Sequence, residues 1–84
     1  MQKQKIVIKH PEGFHMRPAT EFVNGLLGIE SSVTFVIEGK QINAKSLLNL
    51  IAAGIKCGQE IEVVCEGSDE SVALKKAIEL IEKH

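Results

Sequence analysis

Alternation of apolar and polar residues constrains the fold of this 84-residue chain more than any other feature of its sequence. Between residues 32 and 38, Val33, Phe35 and Ile37 share one side of an extended chain, and the intervening residues lie on the other. The pattern recurs in four segments, which are residues 4–9, 32–38, 41–43 and 59–66. A period of two is typical of β-strands. Because half of the positions are polar, we predict an antiparallel sheet with one face covered by helices.

The segment that follows the first strand predicts a loop and then a helix. Pro18 is favoured in the first turn of a helix, where its missing N–H leaves no bond unmade. We therefore predict a helix from about Met16 to Leu27 that ends near Gly28. His15 then falls at the N-cap of this helix.

Serines mark the starts of two further helices. Ser46 predicts the N-cap of a short helix from Leu47 to about Ala53, and Ser68 predicts the N-cap of a last helix that continues through Ile81. The last helix has an apolar face, which consists of Val72, Leu74, Ala77, Ile78 and Ile81. The element order is β-α-β-β-α-β-α. We predict a single α+β domain over residues 1–84, an open-faced β-sandwich in which three helices cover one face of a four-stranded antiparallel sheet.

The composition excludes several classes of function. Ten Lys and Arg residues against eleven Asp and Glu residues leave a formal net charge of -1, which argues against nucleic acid as a direct partner. No apolar run has the length that a membrane span needs, and no signal peptide precedes the first strand. We therefore expect a cytoplasmic protein without membrane insertion. The three aromatic residues are all Phe, which predicts an aliphatic core.

The two cysteines, Cys57 and Cys65, do not have the spacing of a CxxC motif, and no histidines cluster beside them. The sequence therefore predicts no metal site. A disulfide between them is one interpretation. Two reduced, partly buried thiols in a cytoplasmic protein is the simpler one.

His15 is the main candidate for chemistry. A helix start presents unpaired backbone N–H groups and the positive end of a dipole, and this combination binds phosphate. Arg17 adds a planar donor group that can hold phosphoryl oxygens, and Gly13 allows a close turn of the backbone. A neutral imidazole nitrogen is a competent nucleophile toward phosphorus. The alternative is that His15 is an ordinary capping or surface histidine; for His10 and His84 the ordinary interpretation is favoured.

Three segments carry a resemblance to a known family. Residues 13–20 (GFHMRPAT) closely resemble the active-site signature of HPr, the phosphocarrier family of the bacterial phosphotransferase system. Residues 43–48 (NAKSLL) resemble its regulatory serine site, and residues 67–70 (GSDE) resemble the start of its last helix. The matches have the family's spacing and extend over essentially the whole chain.

This resemblance implies a phosphoryl-carrier cycle. Enzyme I, charged from phosphoenolpyruvate, would phosphorylate His15 on Nδ1, and the group would pass to a sugar-specific enzyme IIA domain. Arg17 would steady the phosphoryl group. The protein would be a substrate and carrier, monomeric and without a cofactor.

Ser46 has two interpretations. The first is an N-cap alone, worth about 1 kcal/mol. The resemblance adds phosphorylation by HPr kinase/phosphorylase, which a helix N-terminus would tolerate because its dipole favours negative charge. The added charge would repel acidic surfaces on enzyme I and could create a contact with a catabolite-control transcription regulator.

The second predicted helix is unusually apolar. Its wide apolar arc consists of Leu47, Leu48, Leu50 and Ile51. A short helix on a small sheet can bury only part of such an arc, so we expect some of it to be an exposed docking patch around His15. The resemblance assigns docking to Leu47, Leu48 and Ile51, and Met16 and Thr20 complete the expected set. The alternative is that the whole arc is core.

Several residues depart from the family pattern. They are Met16, Leu27, Leu48, Asn49 and Ile51, on or near the expected docking patch. They leave open a specialised HPr-like regulatory paralogue that acts mainly as a binding module through phosphorylated Ser46. The presence of His15 favours the general carrier. A free-standing enzyme such as a small phosphatase lacks support, because the sequence offers no second acid/base pair and no phosphate-binding glycine loop.

Overall fold

Four antiparallel strands form one sheet in the computed structural model of the protein, which describes residues 1–83. The strands are β1 (Gln2–Val7), β2 (Ser32–Ile37), β3 (Lys40–Asn43) and β4 (Glu60–Glu66). The helices are α1 (Met16–Gly25), α2 (Leu47–Ala53) and α3 (Glu70–Glu82). The sheet order is β1-β4-β2-β3, and the chain order is β-α-β-β-α-β-α. The predicted fold class is therefore confirmed.

The alternating pattern places one face of the sheet in the core. In the central strand β2, Val33, Phe35 and Ile37 are buried, while Ser32 is exposed. The neighbouring strand β4 repeats the alternation and pairs with β2 with Phe35 opposite Val63. The other side of each strand stays wholly or partly accessible.

β1 lies two residues earlier than predicted. It pairs with β4 from Gln2 opposite Cys65 to Val7 opposite Glu60, so it includes polar residues at its start that lack a strand pattern. Ile8 follows the strand and is buried. Its N–H donates a hydrogen bond to the carbonyl of Gln59, the residue before β4, at 3.0 Å.

Two predicted helix boundaries are wrong, the end of α1 and the start of α3. α1 ends at Gly25, because Leu27 donates its N–H to Asn24, three residues back, and thereby tightens the last turn. The N-cap of α3 is Asp69 and not Ser68. The Ser68 hydroxyl donates to the Glu30 carboxylate at 3.1 Å, a contact distant in sequence that takes it away from the helix start.

The core is not purely aliphatic, in contrast to the prediction. Phe14, Phe22 and Phe35 are all buried, and their rings meet with centroid separations of 5.3 to 6.0 Å. Aliphatic residues from the sheet and all three helices surround this group. The aromatic trio anchors Phe14, the residue directly before His15, and so fixes the chain at the point where α1 begins.

Two further expectations need correction. Val72, a residue of the predicted apolar face of α3, is 61% exposed, and Ala73 is buried in its place. Cys57 is exposed, whereas Cys65 is buried, and both thiols are free. Burial raises the pKa of the Cys65 thiol above its ordinary value. His84 lies outside the described residues.

Candidate functional site

The loop before α1 is held against the chain that follows α2. Gly13 has a φ of +71°, and a Cβ built on it would lie 2.3 Å from the carbonyl oxygen of Ile55. The next residue, Phe14, donates its N–H to that same oxygen at 2.9 Å. Only glycine allows this close approach in a left-handed conformation. The contact fixes the position of His15.

His15 is the N-cap of α1, as the sequence predicts. Its backbone is extended, with φ −79° and ψ −167°, and its side chain makes no capping bond. Its carbonyl oxygen accepts the N–H of Ala19 at 3.0 Å, which is the first bond of the helix. The imidazole is therefore available for other interactions at the positive end of the helix.

The first turn of α1 offers backbone donors next to this imidazole. The N–H groups of Met16 and Arg17 occupy the first two helical positions, where no intrahelical acceptor exists. Pro18 stands third and has no N–H, and its ring is buried. Two donors beside His15 are thus free to meet an anion.

Charged side chains surround the imidazole. Nε2 of His15 lies 3.1 Å from a carboxylate oxygen of Glu12, and the His10 ring lies edge-on to the His15 ring with 5.4 Å between centroids. These groups line a shallow depression of about 310 Å³, whose wall consists of His10, Glu12, His15, Arg17, Pro18 and Glu21. The structure brings together the predicted pair, His15 and Arg17. A small anion has room there.

Glu12 and His10 are the two neighbours that the sequence analysis missed. Glu12 is three residues before His15, a spacing that carries no meaning outside a helix. The left-handed turn at Gly13 folds the loop back and brings the carboxylate to the ring. A glycine two residues before a candidate nucleophilic histidine is the signal that could have drawn attention to them.

Ser46 caps α2 as predicted. Its side-chain oxygen accepts the N–H of Asn49 at 3.3 Å, and Leu50 donates its N–H to the Ser46 carbonyl at 3.0 Å. Gly54 ends the helix in a left-handed conformation, with φ +62°. Ser46 is half-buried and lies outside the wall of the His15 depression.

The predicted docking residues differ in exposure. Leu48 is 80% exposed and Met16 is 59% exposed, at the starts of α2 and α1, which contact each other. Leu47 and Ile51 are partly buried against the core. Leu50 is fully buried, so this member of the apolar arc belongs to the core.

Thr20, the last residue of the expected docking set, is half-buried on α1. Its hydroxyl donates to the carbonyl oxygen of Met16 at 2.7 Å, within the same helix. This bond holds the first turn together on the side that carries Met16.

Residues 1–83 provide no group of three or more His, Cys, Asp or Glu side chains that could hold a metal ion. Within this same range, no helix combines the length and the hydrophobicity that crossing a membrane requires.

A family model described as "PTS HPr component phosphorylation site" matches residues 2–83. The chain belongs to the HPr family. The phosphocarrier protein HPr of Borreliella burgdorferi is 35% identical over 82 residues, which are 98% of this chain and 95% of that protein. The HPr-like protein Crh of Bacillus subtilis is 34% identical over 76 residues, 90% of this chain and 89% of that protein.

Solved structures of HPr-family proteins share this fold. HPr-C-His from Thermoanaerobacter tengcongensis superposes with a TM-score of 0.92 at 34% identity, covering 99% of this chain and 93% of that chain. Crh of Bacillus subtilis, a structure described as a dimer with a swapped domain, gives a TM-score of 0.78 at 31% identity and covers 99% and 95%. The family thus includes dimers, and membership does not support the expectation of a monomer.

Proposed function

We propose that this HPr-family protein carries a phosphoryl group on Nδ1 of His15. The observation that supports this most directly is the imidazole at the N-cap of α1, beside two backbone donors and Arg17. Donors aimed at one point stabilise the charge of a phosphoryl group in transit. The ring supplies the nucleophile, and the helix start supplies the anion site.

In the proposed transfer, the Nδ1 lone pair of His15 attacks phosphorus. The N–P bond forms as the bond to the donor breaks, and the leaving group departs with the electron pair. The N–H groups of Met16 and Arg17 and the Arg17 guanidinium would hold the phosphoryl oxygens. Transfer to the next acceptor reverses the process, with His15 as the leaving group.

The proposed donor is enzyme I, charged from phosphoenolpyruvate, and the proposed acceptors are sugar-specific enzyme IIA domains. The depression is open to solvent, and we propose that a partner surface covers the phosphoryl group during transfer. The exposed side chains of Met16 and Leu48 favour apolar docking beside the histidine. We place this cycle in the cytoplasm.

Ser46 is the proposed regulatory site. A phosphate on its oxygen would sit at the start of α2 and exchange the cap bond from Asn49 for charge-assisted bonds to the same backbone. We propose HPr kinase/phosphorylase as the modifying enzyme and a catabolite-control transcription regulator as a partner.

A second candidate function is that of a Crh-like regulatory protein, for which the 34% identity to Crh is the specific support. In that case Ser46 would carry the function and His15 would not cycle. The imidazole, the two backbone donors and Arg17 at the start of α1 favour the carrier. We propose that it acts as a monomer. Sedimentation of the purified protein at several concentrations tests the oligomeric state, and a stable dimer would contradict that part of the proposal.

The carrier proposal is tested with phosphoenolpyruvate, enzyme I and the purified protein. We expect acid-labile phosphate on the wild type and none on His15→Ala. Arg17→Ala should accept phosphate at least about tenfold more slowly, because loss of one oriented donor typically costs 10²–10³ in rate at a fully formed site. Equal labelling of His15→Ala would refute the proposal. A kinase reaction with ATP should give acid-stable phosphate that Ser46→Ala abolishes.

A further inference from the structure

Glu12 contacts the ring nitrogen of His15 that the proposed transfer does not use. Its carboxylate oxygen lies 3.1 Å from Nε2, within hydrogen-bond distance. Because a carboxylate only accepts, this contact requires a proton on Nε2. In the neutral ring, the lone pair then lies on Nδ1.

The loop holds Glu12 in this place through its backbone. The Glu12 N–H donates to Nδ1 of His10 at 3.2 Å, and the Gly13 N–H donates to the His10 carbonyl at 2.9 Å. The His10 ring in turn lies edge-on to the ring of His15. The backbone that carries the carboxylate is thus fixed on one side by His10 and on the other by the packing of Gly13 against Ile55.

We infer that Glu12 is a positioning residue that keeps the proton on Nε2 of His15 and thereby directs phosphorylation to Nδ1. This inference rests on the proposed function. When Nδ1 bonds to phosphorus, the ring becomes a cation whose proton remains on Nε2, and the Glu12 carboxylate stabilises that charge. No proton has to leave or arrive during the transfer, so the step balances with the ring and the donor alone.

Among residues 1–83, three other ionisable side chains line the depression. Arg17 supplies positive charge on the helix side, and Glu21 lies farther along α1. His10 presents its Nδ1 to the backbone of Glu12. The side chain of Glu12 is 74% exposed, so its effect on the tautomer is that of a solvent-screened ion pair, about 1.5- to 5-fold in an equilibrium constant.

The first test uses potassium phosphoramidate, a small phosphoryl donor that needs no enzyme I. The wild type, Glu12→Ala, Glu12→Asp and Glu79→Ala are phosphorylated with it, and the two phosphohistidine isomers are separated after alkaline hydrolysis. The isomers formed in the matching variants that also carry His15→Ala, which come from His10 and His84, are subtracted. Glu79 lies exposed on α3, outside the His15 depression, and its replacement makes the same charge change. We expect the Nδ1 isomer to predominate in the wild type and Glu79→Ala. Glu12→Ala should gain the Nε2 isomer about 1.5- to 5-fold relative to Nδ1, and Glu12→Asp should restore part of the preference.

The second measurement is the tautomer of the unmodified ring, read from ¹⁵N chemical shifts at pH 8.5. We expect a smaller fraction of the Nε2–H form in Glu12→Ala than in the wild type. Identical isomer ratios and identical tautomer populations in Glu12→Ala and the wild type would overturn the inference. Labelling by enzyme I is measured separately. If the isomer ratio changes in Glu12→Ala but enzyme I does not phosphorylate the wild type, the carrier cycle is refuted and the role of Glu12 is retained.

Discussion

The α-carbon of Gly13 faces the carbonyl oxygen of Ile55 so closely that a Cβ would lie 2.3 Å from that oxygen. This contact joins the loop that carries His15 to the segment that follows α2. The positions of His15 and of the second helix are therefore linked through backbone packing. A disturbance on either side should reach the other.

Gly13→Ala tests this link. The substitution strains a left-handed backbone and also clashes with Ile55, so we expect a loss of about 1–3 kcal/mol in the free energy of unfolding and slower phosphorylation of His15. Gly28→Ala is the matched control, because Gly28 has a φ of +91° with nothing near its Cβ position. Urea unfolding and the enzyme I assay measure both effects. Equal, small losses of stability and of phosphorylation rate in the two variants would show that the contact between Gly13 and Ile55 contributes to neither.

Asp69 makes stability depend on pH. Its carboxylate accepts the backbone N–H groups of Glu30 and Ser31, at 3.0 and 2.8 Å, and a bond from the Ser31 hydroxyl. The bond from the Ser31 hydroxyl is the largest cause that lowers the pKa of Asp69 below its ordinary value, and the bond from the Glu30 N–H is the second. A lowered carboxyl pKa stabilises the folded state above the ordinary value, near pH 3.9, and this contribution disappears as the pH falls through the folded pKa.

Asp69→Asn should therefore have a lower urea midpoint than the wild type at pH 7, and the difference should shrink as the pH falls below about 4. Urea titrations of both proteins between pH 7 and pH 2.5 measure it. A difference that stays constant over this range would mean that the ionised carboxylate does not carry the effect.

Ser46→Ala separates the capping role of Ser46 from its proposed regulatory role. Loss of the bond from Asn49 should cost about 1 kcal/mol of stability, within the usual range for an N-cap serine. Because Ser46 caps the start of α2 whereas the contact with the His15 loop is made by Ile55, after the end of α2, the variant should still accept phosphate from enzyme I. Ser46→Asp retains an acceptor at the cap and should keep most of the stability. Chemical unfolding and the labelling assay distinguish these expectations, and loss of His15 labelling in Ser46→Ala would contradict the separation.

Leu48 and Leu50 differ in role although they are two residues apart on α2. Leu48→Ala should change the stability by no more than about 0.5 kcal/mol, because its side chain is 80% exposed, and it should raise the KM for phosphorylation by enzyme I. Leu50→Ala should cost about 2–5 kcal/mol, because Leu50 is fully buried. An unchanged KM in a folded Leu48→Ala protein would show that Leu48 does not contribute to the docking of enzyme I.

Local patterns in the sequence predict much of this fold. The alternation at Val33, Phe35 and Ile37 predicts both a strand and its buried face, and Ser46 and Gly54 mark the two ends of α2. These features depend on interactions within a few residues. They are therefore accessible without knowledge of the tertiary structure.

The predictions are wrong where residues distant in the sequence determine the local structure. Asp69 replaces Ser68 as the N-cap because Ser68 bonds to Glu30, a residue 38 positions away. Likewise, β1 begins at Gln2 because β4 supplies a partner for it, which its own polar start does not reveal.

The site itself was predictable only in part. His15 and Arg17 follow from the helix start and the family signature. Glu12 does not, because its approach to His15 depends on the shape of the loop, which the packing of Gly13 against Ile55 sets.

Phosphorylation of His15 is tested most directly by ³¹P NMR of the protein after incubation with enzyme I and phosphoenolpyruvate. We expect one phosphohistidine resonance, characteristic of the Nδ1 isomer, that is absent in His15→Ala and disappears when an excess of an enzyme IIA domain is added after the phosphoenolpyruvate and enzyme I have been removed. A wild-type spectrum without this resonance, or the same resonance in His15→Ala, would contradict the claim that His15 carries the phosphoryl group.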